Sequence, residues 1–264
     1  MPIVDTYINQ KINENRLADN IKERDEYTPS GKLSASSLYL PTRFQVLKTL
    51  GVEREPFDAY TLGVFDKGNQ IEEGFIKSLK RNKLLFNGQK RFFLKKNFNL
   101  EWDNEKKQYK STYRDSIGYI DAVVDTDLMQ AKKGIMPFEV KSVTSYKYKH
   151  VKKQGGADWH HCLQACQYAL GMGVDYFGVV YISKEHDDPH VMIYQVREYK
   201  KDVDHIIGNY QKAMTNWSID RSLPPFEIDE RVKWLVPKYS PYSEFWYQAP
   251  DSEVIKELER LKLA

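Results

Sequence analysis

The residues best placed to do chemistry are two charged side chains on one apolar run. Glu139-Val140-Lys141 lies inside Ile135 to Val143 (IMPFEVKSV), which reads as a β-strand, so Glu139 and Lys141 share one of its faces. The same Glu-x-Lys spacing recurs at Glu105-Lys106-Lys107, in a polar turn, and at Glu198-Tyr199-Lys200, at a strand-to-helix junction. Upstream, Asp121 interrupts a second apolar strand, Ile117 to Asp125 (IGYIDAVVD). A carboxylate in such a place is costly unless a cation or donor meets it. Two arrangements satisfy that demand: a divalent metal bridging Asp121 and Glu139, or a buried Asp-Glu-Lys ion-pair cluster. If a metal, Mg2+ suits, because it takes oxygen ligands, keeps several waters and accepts one or two carboxylates plus a substrate phosphate. Lys141 would then orient or help deprotonate a water for in-line attack on phosphorus, which is phosphodiester hydrolysis.

Such a pair must be held by a packed core, and the chain can build one. It has 264 residues, 41% of them hydrophobic, with 40 Lys and Arg against 37 Asp and Glu, so its charge of +3 argues neither for nor against nucleic acid. No apolar run approaches the ~20 residues of a membrane span, and Met1 to Gln10 lacks an export pattern. A cytosolic location, with no membrane partner, is expected. Cys162 and Cys166, four apart on an expected helix, suit neither a disulfide nor a structural zinc site and read as packing residues.

Residues 1–33 are polar and charged, with at most one weak helix from Asp5 to Arg24, and read as an N-terminal extension. The cap-forming cluster Ser34 to Ser37 precedes an apolar segment, Leu38 to Leu50, with Pro41 in a first helical turn and Gly51 as its stop. A second helix is expected to begin near Asp66 to Gly68 and to run through its apolar stripe, Ile71, Phe75, Ile76 and Leu79, with Glu72 beside the buried face. Strands are expected at Arg91 to Leu100, Ile117 to Asp125, Ile135 to Val143, Tyr176 to Ser183 and His190 to Val196. Helices are expected at Asp158 to Leu170 and Lys200 to Trp217, with a polar basic loop ending at Gly155-Gly156 before the first of these. This order points to an α/β fold, a central mixed sheet flanked by helices on both faces. Residues 34–250 would form that domain, and 251–264 an amphipathic helix with Val254, Ile255, Leu258 and Leu261 on one stripe.

Asp121 followed by Glu139-Val140-Lys141 resembles the catalytic core of the PD-(D/E)xK nuclease superfamily, with Gly118-Tyr119-Ile120-Asp121 similar to its Gly-x-x-Asp form. Gln164-Ala165-Cys166-Gln167-Tyr168 resembles the Gln-x-x-x-Tyr motif of the RecB-like branch, and Gly68-Asn69-Gln70-Ile71-Glu72 its Gly-x-x-x-His motif with Glu in place of His. The resemblance spans roughly Ser34 to Trp246, although only short motifs support it. It implies a restriction-endonuclease-like core and a phage-type exonuclease. Glu72, Asp121, Glu139 and the Val140 carbonyl would bind Mg2+, with Mn2+ as a substitute, and Lys141 would serve the nucleophile. Gln164 and Tyr168 would position substrate or support the site. The implied activity is DNA hydrolysis at single-stranded or end-containing substrates, in recombination, repair or phage genome processing. A recombinase, helicase or single-strand-binding protein is the candidate partner, and a bacterial cytosol the setting if the source is a phage. A flap- or gap-cutting endonuclease, or an inert end-binding subunit, would use the same residues.

Many RecB-like nucleases clamp an iron-sulfur cluster with four cysteines. At the matching places this chain has Leu40 and, in the tail, Pro237, Ser240 and Trp246, so no cluster is expected, and apolar packing of Leu40 and Trp246 would tie the tail to the N-terminal helix instead. Directly after the Glu139 strand, Lys and Tyr interleave. Tyr146, Lys147, Lys149, Lys152 and Lys153 could neutralise phosphates and stack on unpaired bases, or simply form a solvated basic loop. His160 and His161, ahead of the Gln164 motif, read as a helix-edge pair.

Overall fold

End-capping chemistry sets most of the helix boundaries. The computed structural model describes residues 6–25, 30–86, 100–125, 135–186, 188–236 and 241–263. Helix α1 (Thr6–Asp25) precedes a two-residue strand, β1 (Leu33–Ser34), a 3-10 turn at Ala35–Ser37, and α2 (Thr42–Leu50). The serine cluster therefore forms β1 and the turn rather than capping α2. Pro41 takes the N-cap position, just outside the first turn, and Gly51 ends the helix in the left-handed region at φ 91°. Helix α3 (Ala59–Arg81) starts earlier than the sequence suggested, because Asp58 accepts the Thr61 N–H at 2.6 Å.

Strands β2 (Glu101–Asp103), β3 (Gln108–Tyr113), β4 (Ser116–Ile120), β5 (Ala122–Asp125) and β6 (Ile135–Val143) follow. Then come α4 (Ser145–Gln154), α5 (Trp159–Met172), β7 (Tyr176–Ser183), β8 (Pro189–Gln195), α6 (Val196–Asp220), α7 (Phe245–Gln248) and α8 (Asp251–Arg260). Two departures from expectation matter. Strand β3 was not foreseen, while the one expected at Arg91 to Leu100 lies, apart from Leu100, outside the described residues. The expected basic loop is the helix α4: Thr144 accepts the Lys147 N–H at 3.3 Å, Gly155 closes the other end at φ 68°, and Tyr148 and Val151 bury one face.

The strands form two mixed four-stranded sheets, ordered β1-β4-β3-β2 and β5-β6-β7-β8. They meet at Asp121, the one residue between β4 and β5. Ile120 and Val123 both face the Tyr168 side, whereas Ala122 and Val124 face the α3 side, so the in-out alternation slips by one residue at Asp121. In the second sheet β5-β6 and β7-β8 are antiparallel and β6-β7 is parallel, with Glu139 opposite Val179 and Lys141 opposite Tyr181. Helix α3 covers one face, with Leu79, Ile71 and Phe75 on Phe138, Val140, Val180 and Ile182. Helices α4, α5 and α6 cover the other, with Cys162, Leu163, Cys166 and Val203 on Phe177, Val179 and Tyr181. The class is α/β with helices on both faces, as expected. Among the described residues no helix is long and apolar enough to cross a membrane.

A second core joins α2 to the C-terminal segment, through Phe44, Val46 and Leu47 against Val232, Val236, Tyr242, Val254 and Leu258. Leu40 and Trp246 pack against it, whereas Pro237 and Ser240 lie outside the described residues. In α8 the stripe is narrower than expected: Val254 and Leu258 are buried, Ile255 is half-buried, and Leu261 lies beyond the helix with 39% exposure.

Candidate active site

The slip at Asp121 opens an edge. Strand β5 pairs with β6 only as far as Phe138, so beyond it the backbone of β6 on that side needs other partners. Two carboxylates supply them: the Val140 N–H donates to Asp121 Oδ2 at 2.8 Å, and the Ser142 N–H donates to Glu72 Oε1 at 3.3 Å. Glu72 is thus delivered by α3 and Asp121 by the break between the sheets, one on each side of Lys141 along β6. In an extended strand a residue's N–H and C=O face the same edge, so the Val140 carbonyl faces Asp121 as well.

Glu139 is fully buried on the α5 side. The Lys141 Nζ lies 2.5 Å from its Oε1, yet neither Glu139 oxygen has a donor at hydrogen-bonding angles, so the contact is charge pairing rather than a directed bond. Tyr168, also buried, accepts the Gln164 amide N–H at 2.6 Å and sits near enough to Glu139 for each to perturb the other's proton affinity. Gln164 and Tyr168 are one helical turn apart on α5, so a single face of that helix backs Glu139.

The motif glycines are steric. A Cβ on Gly118 would lie 2.3 Å from Tyr168 Cε1 and 2.8 Å from both the Ala35 Cβ and Gln167 Oε1, so only glycine lets α5 approach β4 this closely. At Gly68 a Cβ would meet only the Ser142 Oγ, at 2.9 Å, where α3 crosses the end of β6.

Burial raises the pKa of Glu72 and Asp121, and burial with the neighbouring Asp121 charge pushes Glu139 up to about 8. Burial alone would lower Lys141, but Glu139 and Asp121 more than offset it and hold the amine above the ordinary lysine range. Lys141 is therefore cationic, 30% exposed and close to three carboxylates. Ionised, the three carboxylates and one ammonium have a net charge of −2, which a single dication would neutralise. The donor set is all oxygen, and Glu139 has two oxygens without donors, so these residues fit a hard divalent ion.

The basic residues after β6 divide into two groups. Lys147 pairs with Asp158 at 2.7 Å, and Lys152 with Asp188 at 3.3 Å while lying over the Tyr148 ring. Tyr146, Lys149 and Lys153 point to solvent. His160 and His161 lie at the start of α5, close to Asp158, and the three could offer atoms to a metal within 4.8 Å of one another. Lys147 already neutralises that carboxylate, and the Tyr181 hydroxyl, 2.7 Å from His161 Nδ1, engages that ring. Burial keeps both imidazoles neutral, His160 down to about 4 and His161 well below its usual value.

Sequence reasoning missed Lys184. It follows β7, donates its N–H to the Val143 carbonyl at 2.8 Å, and its charge acts on Glu72. Only the parallel register of Val143 with Ser183 brings it to the site.

No protein-family model matches this chain, and no curated protein matches its sequence. Among solved structures, it is similar to an alkaline exonuclease (LHK-Exo) from Laribacter hongkongensis, with a TM-score of 0.43 and 10% identity over 78% of this chain and 96% of that one. The same enzyme in complex with dAMP gives 0.44 and 11% over 79% and 96%, and SSO0001 gives 0.41 and 15% over 76% and 86%. These likenesses are distant, and the functional reading rests on the geometry of the site.

Proposed function

We propose that this chain is a metal-dependent DNA nuclease of the PD-(D/E)xK type, acting on DNA ends as an exonuclease. The observation that carries the proposal is the convergence of Glu72, Asp121 and Glu139 on the open edge of β6 around a cationic Lys141, with both Glu139 oxygens lacking donors. Glu72, Asp121, Glu139 and the Val140 carbonyl would hold Mg2+, or Mn2+ in its place. When bound, such a dication supplies Lewis acidity, making a water easier to deprotonate and offsetting negative charge on the phosphate.

The chain's own residues do the rest. The Lys141 ammonium orients the attacking water and stabilises charge as it develops on the phosphoryl oxygens; its raised pKa suits a cation better than a general base. Tyr168, held by Gln164, stands against the Glu139 carboxylate on the α5 side. Lys184 adds a second positive charge where a scissile phosphate would lie against Glu72.

The test is degradation of end-labelled linear single- and double-stranded DNA, beside a closed circular control, in Mg2+ or EDTA. Loss of linear DNA only in Mg2+, abolished by Lys141→Ala, is the expected result, and the pattern of label release gives the polarity. Cutting of the circle would replace the exonuclease with an endonuclease. Absence of cleavage in both Mg2+ and Mn2+ overturns the nuclease reading.

A further inference from the structure

On the nuclease reading above, we propose that the outward face of α4 is a track for an unpaired DNA strand entering or leaving the site. The helix starts two residues beyond β6, the strand of Glu139 and Lys141, and its ten residues span ~15 Å. Its sequence, SYKYKHVKKQ, contains four lysines and no carboxylate. Partners from other elements neutralise two of them, Asp158 on Lys147 and Asp188 on Lys152. Tyr148 and Val151 bury the inward face.

What remains outside is Tyr146, Lys149, His150 and Lys153, an i, i+3, i+4, i+7 stripe that lies along one side of the helix. Lys149 and Lys153 have no carboxylate partner among the described residues. Tyr146 is 82% exposed, and its ring lies within 7° of parallel to that of His150 one turn on. A large ring held in water with no apolar surface against it contributes nothing to the core, and two lysines without carboxylates nearby contribute little to the fold. Together they match a phosphate backbone with its bases turned toward the helix. The occupant is single-stranded DNA rather than duplex, because a base offers its π-face to a tyrosine only when it is not stacked in a helix, whereas duplex would meet the lysines alone.

The experiment is fluorescence anisotropy of the full chain in EDTA with a labelled oligonucleotide, single-stranded or as a blunt duplex, alongside cleavage assays in Mg2+. Tyr146→Ala is expected to weaken single-strand binding ~10-fold with little effect on duplex, and Tyr146→Trp to restore it. Lys149→Ala with Lys153→Ala is expected to reduce the salt dependence of single-strand binding by about two phosphates' worth. Equal losses on single strand and duplex, or no loss with Tyr146→Ala, overturn the track. So does a failure of the wild type to bind single strands. An acidic protein partner as the true occupant would show as dependence on the lysines without dependence on the ring, and also overturns it. The nuclease reading is judged separately with bis-p-nitrophenyl phosphate, too short to reach α4: the wild type should hydrolyse it in Mg2+ and Lys141→Ala should not. DNA binding with no hydrolysis of either substrate would sink the nuclease while leaving the track standing.

Discussion

At the scale of single residues, Glu139 is where function and stability oppose each other. A carboxylate with no accessible surface, crowded by the Asp121 charge and met by the Lys141 ammonium without a well-angled hydrogen bond, is costly in a metal-free protein. Its pKa rises from 4.5 to about 8, so between those values the folded chain keeps a proton that the unfolded chain has released. Stability therefore falls as pH rises across that window when divalent ions are chelated, and the contribution is fully present only below 4.5. Glu139→Gln removes the titration. In EDTA at pH 8 the variant should be more stable than wild type by about 1–3 kcal/mol, with little difference at pH 5, while DNA cleavage is lost. Urea melts at the two pH values read this directly, and a variant less stable than wild type at pH 8 would refute the unsatisfied carboxylate. Adding Mg2+ should raise the melting temperature of the wild type and leave the variant's nearly unchanged.

At the scale of elements, the two motif glycines should behave oppositely. Gly118 faces a tyrosine ring, a methyl group and an amide oxygen at once, none with room to retreat. Gly118→Ala should force α5 from β4, cost about 1–3 kcal/mol and lower the cleavage rate by displacing Tyr168 from Glu139. Gly68→Ala meets only a serine hydroxyl, which can rotate, and adds a helix-favouring side chain inside α3. It should be neutral or stabilising by up to ~1 kcal/mol. Thermal melts and single-turnover rates separate the two, and equal damage from both would show that the crowding at Gly118 is not what matters. The same elements show how far the sequence could be read. Strands β6 and β7 were legible to the residue, β7 as a mainly apolar run and β6 as one broken only by Glu139, Lys141 and Ser142. The slip at Asp121 was not, because Ile120, Ala122, Val123 and Val124 are all apolar and hide the change of face. Helix α4 was missed because only Tyr148 and Val151 are buried, although Thr144 and Gly155 were fair cap signals. Strand β3, QYKSTY, alternates only weakly, and Lys184 enters the site through a register that spacing along the chain does not encode.

At the scale of the whole molecule, the sheet that carries Glu139 and the C-terminal segment are separate pieces of packing, joined through α2 and through α6, whose Val203 and Ile207 lie in the first core and whose Ala213 and Trp217 lie in the second. Leu40 and Trp246 both pack against the second core, as expected, but the tail is also held to α2 by polar bonds. Arg43, almost fully buried, donates from Nε to the Trp246 carbonyl at 2.9 Å, from Nη1 to the Pro224 carbonyl at 3.4 Å and from Nη2 to Asp251 at 2.7 Å. One guanidinium thus fastens three points of the returning tail to α2, a task its fixed fork performs and a lysine would not. Replacing it with a side chain of similar length, Arg43→Met, keeps the packing but leaves two carbonyls without their donor. The expected loss is about 2–4 kcal/mol, seen as a melting temperature roughly 5–10 °C lower. Asp251→Asn should cost less than 1 kcal/mol, since that carboxylate is 52% exposed and the neutral amide still accepts from Arg43. Because none of these groups touches β6, Mg2+-dependent cleavage by Arg43→Met should match the wild type well below its melting temperature, while limited proteolysis cuts the tail sooner. A variant that melts normally would show that apolar packing alone holds the tail. One that loses activity while folded would show that the C-terminal segment reaches the site after all.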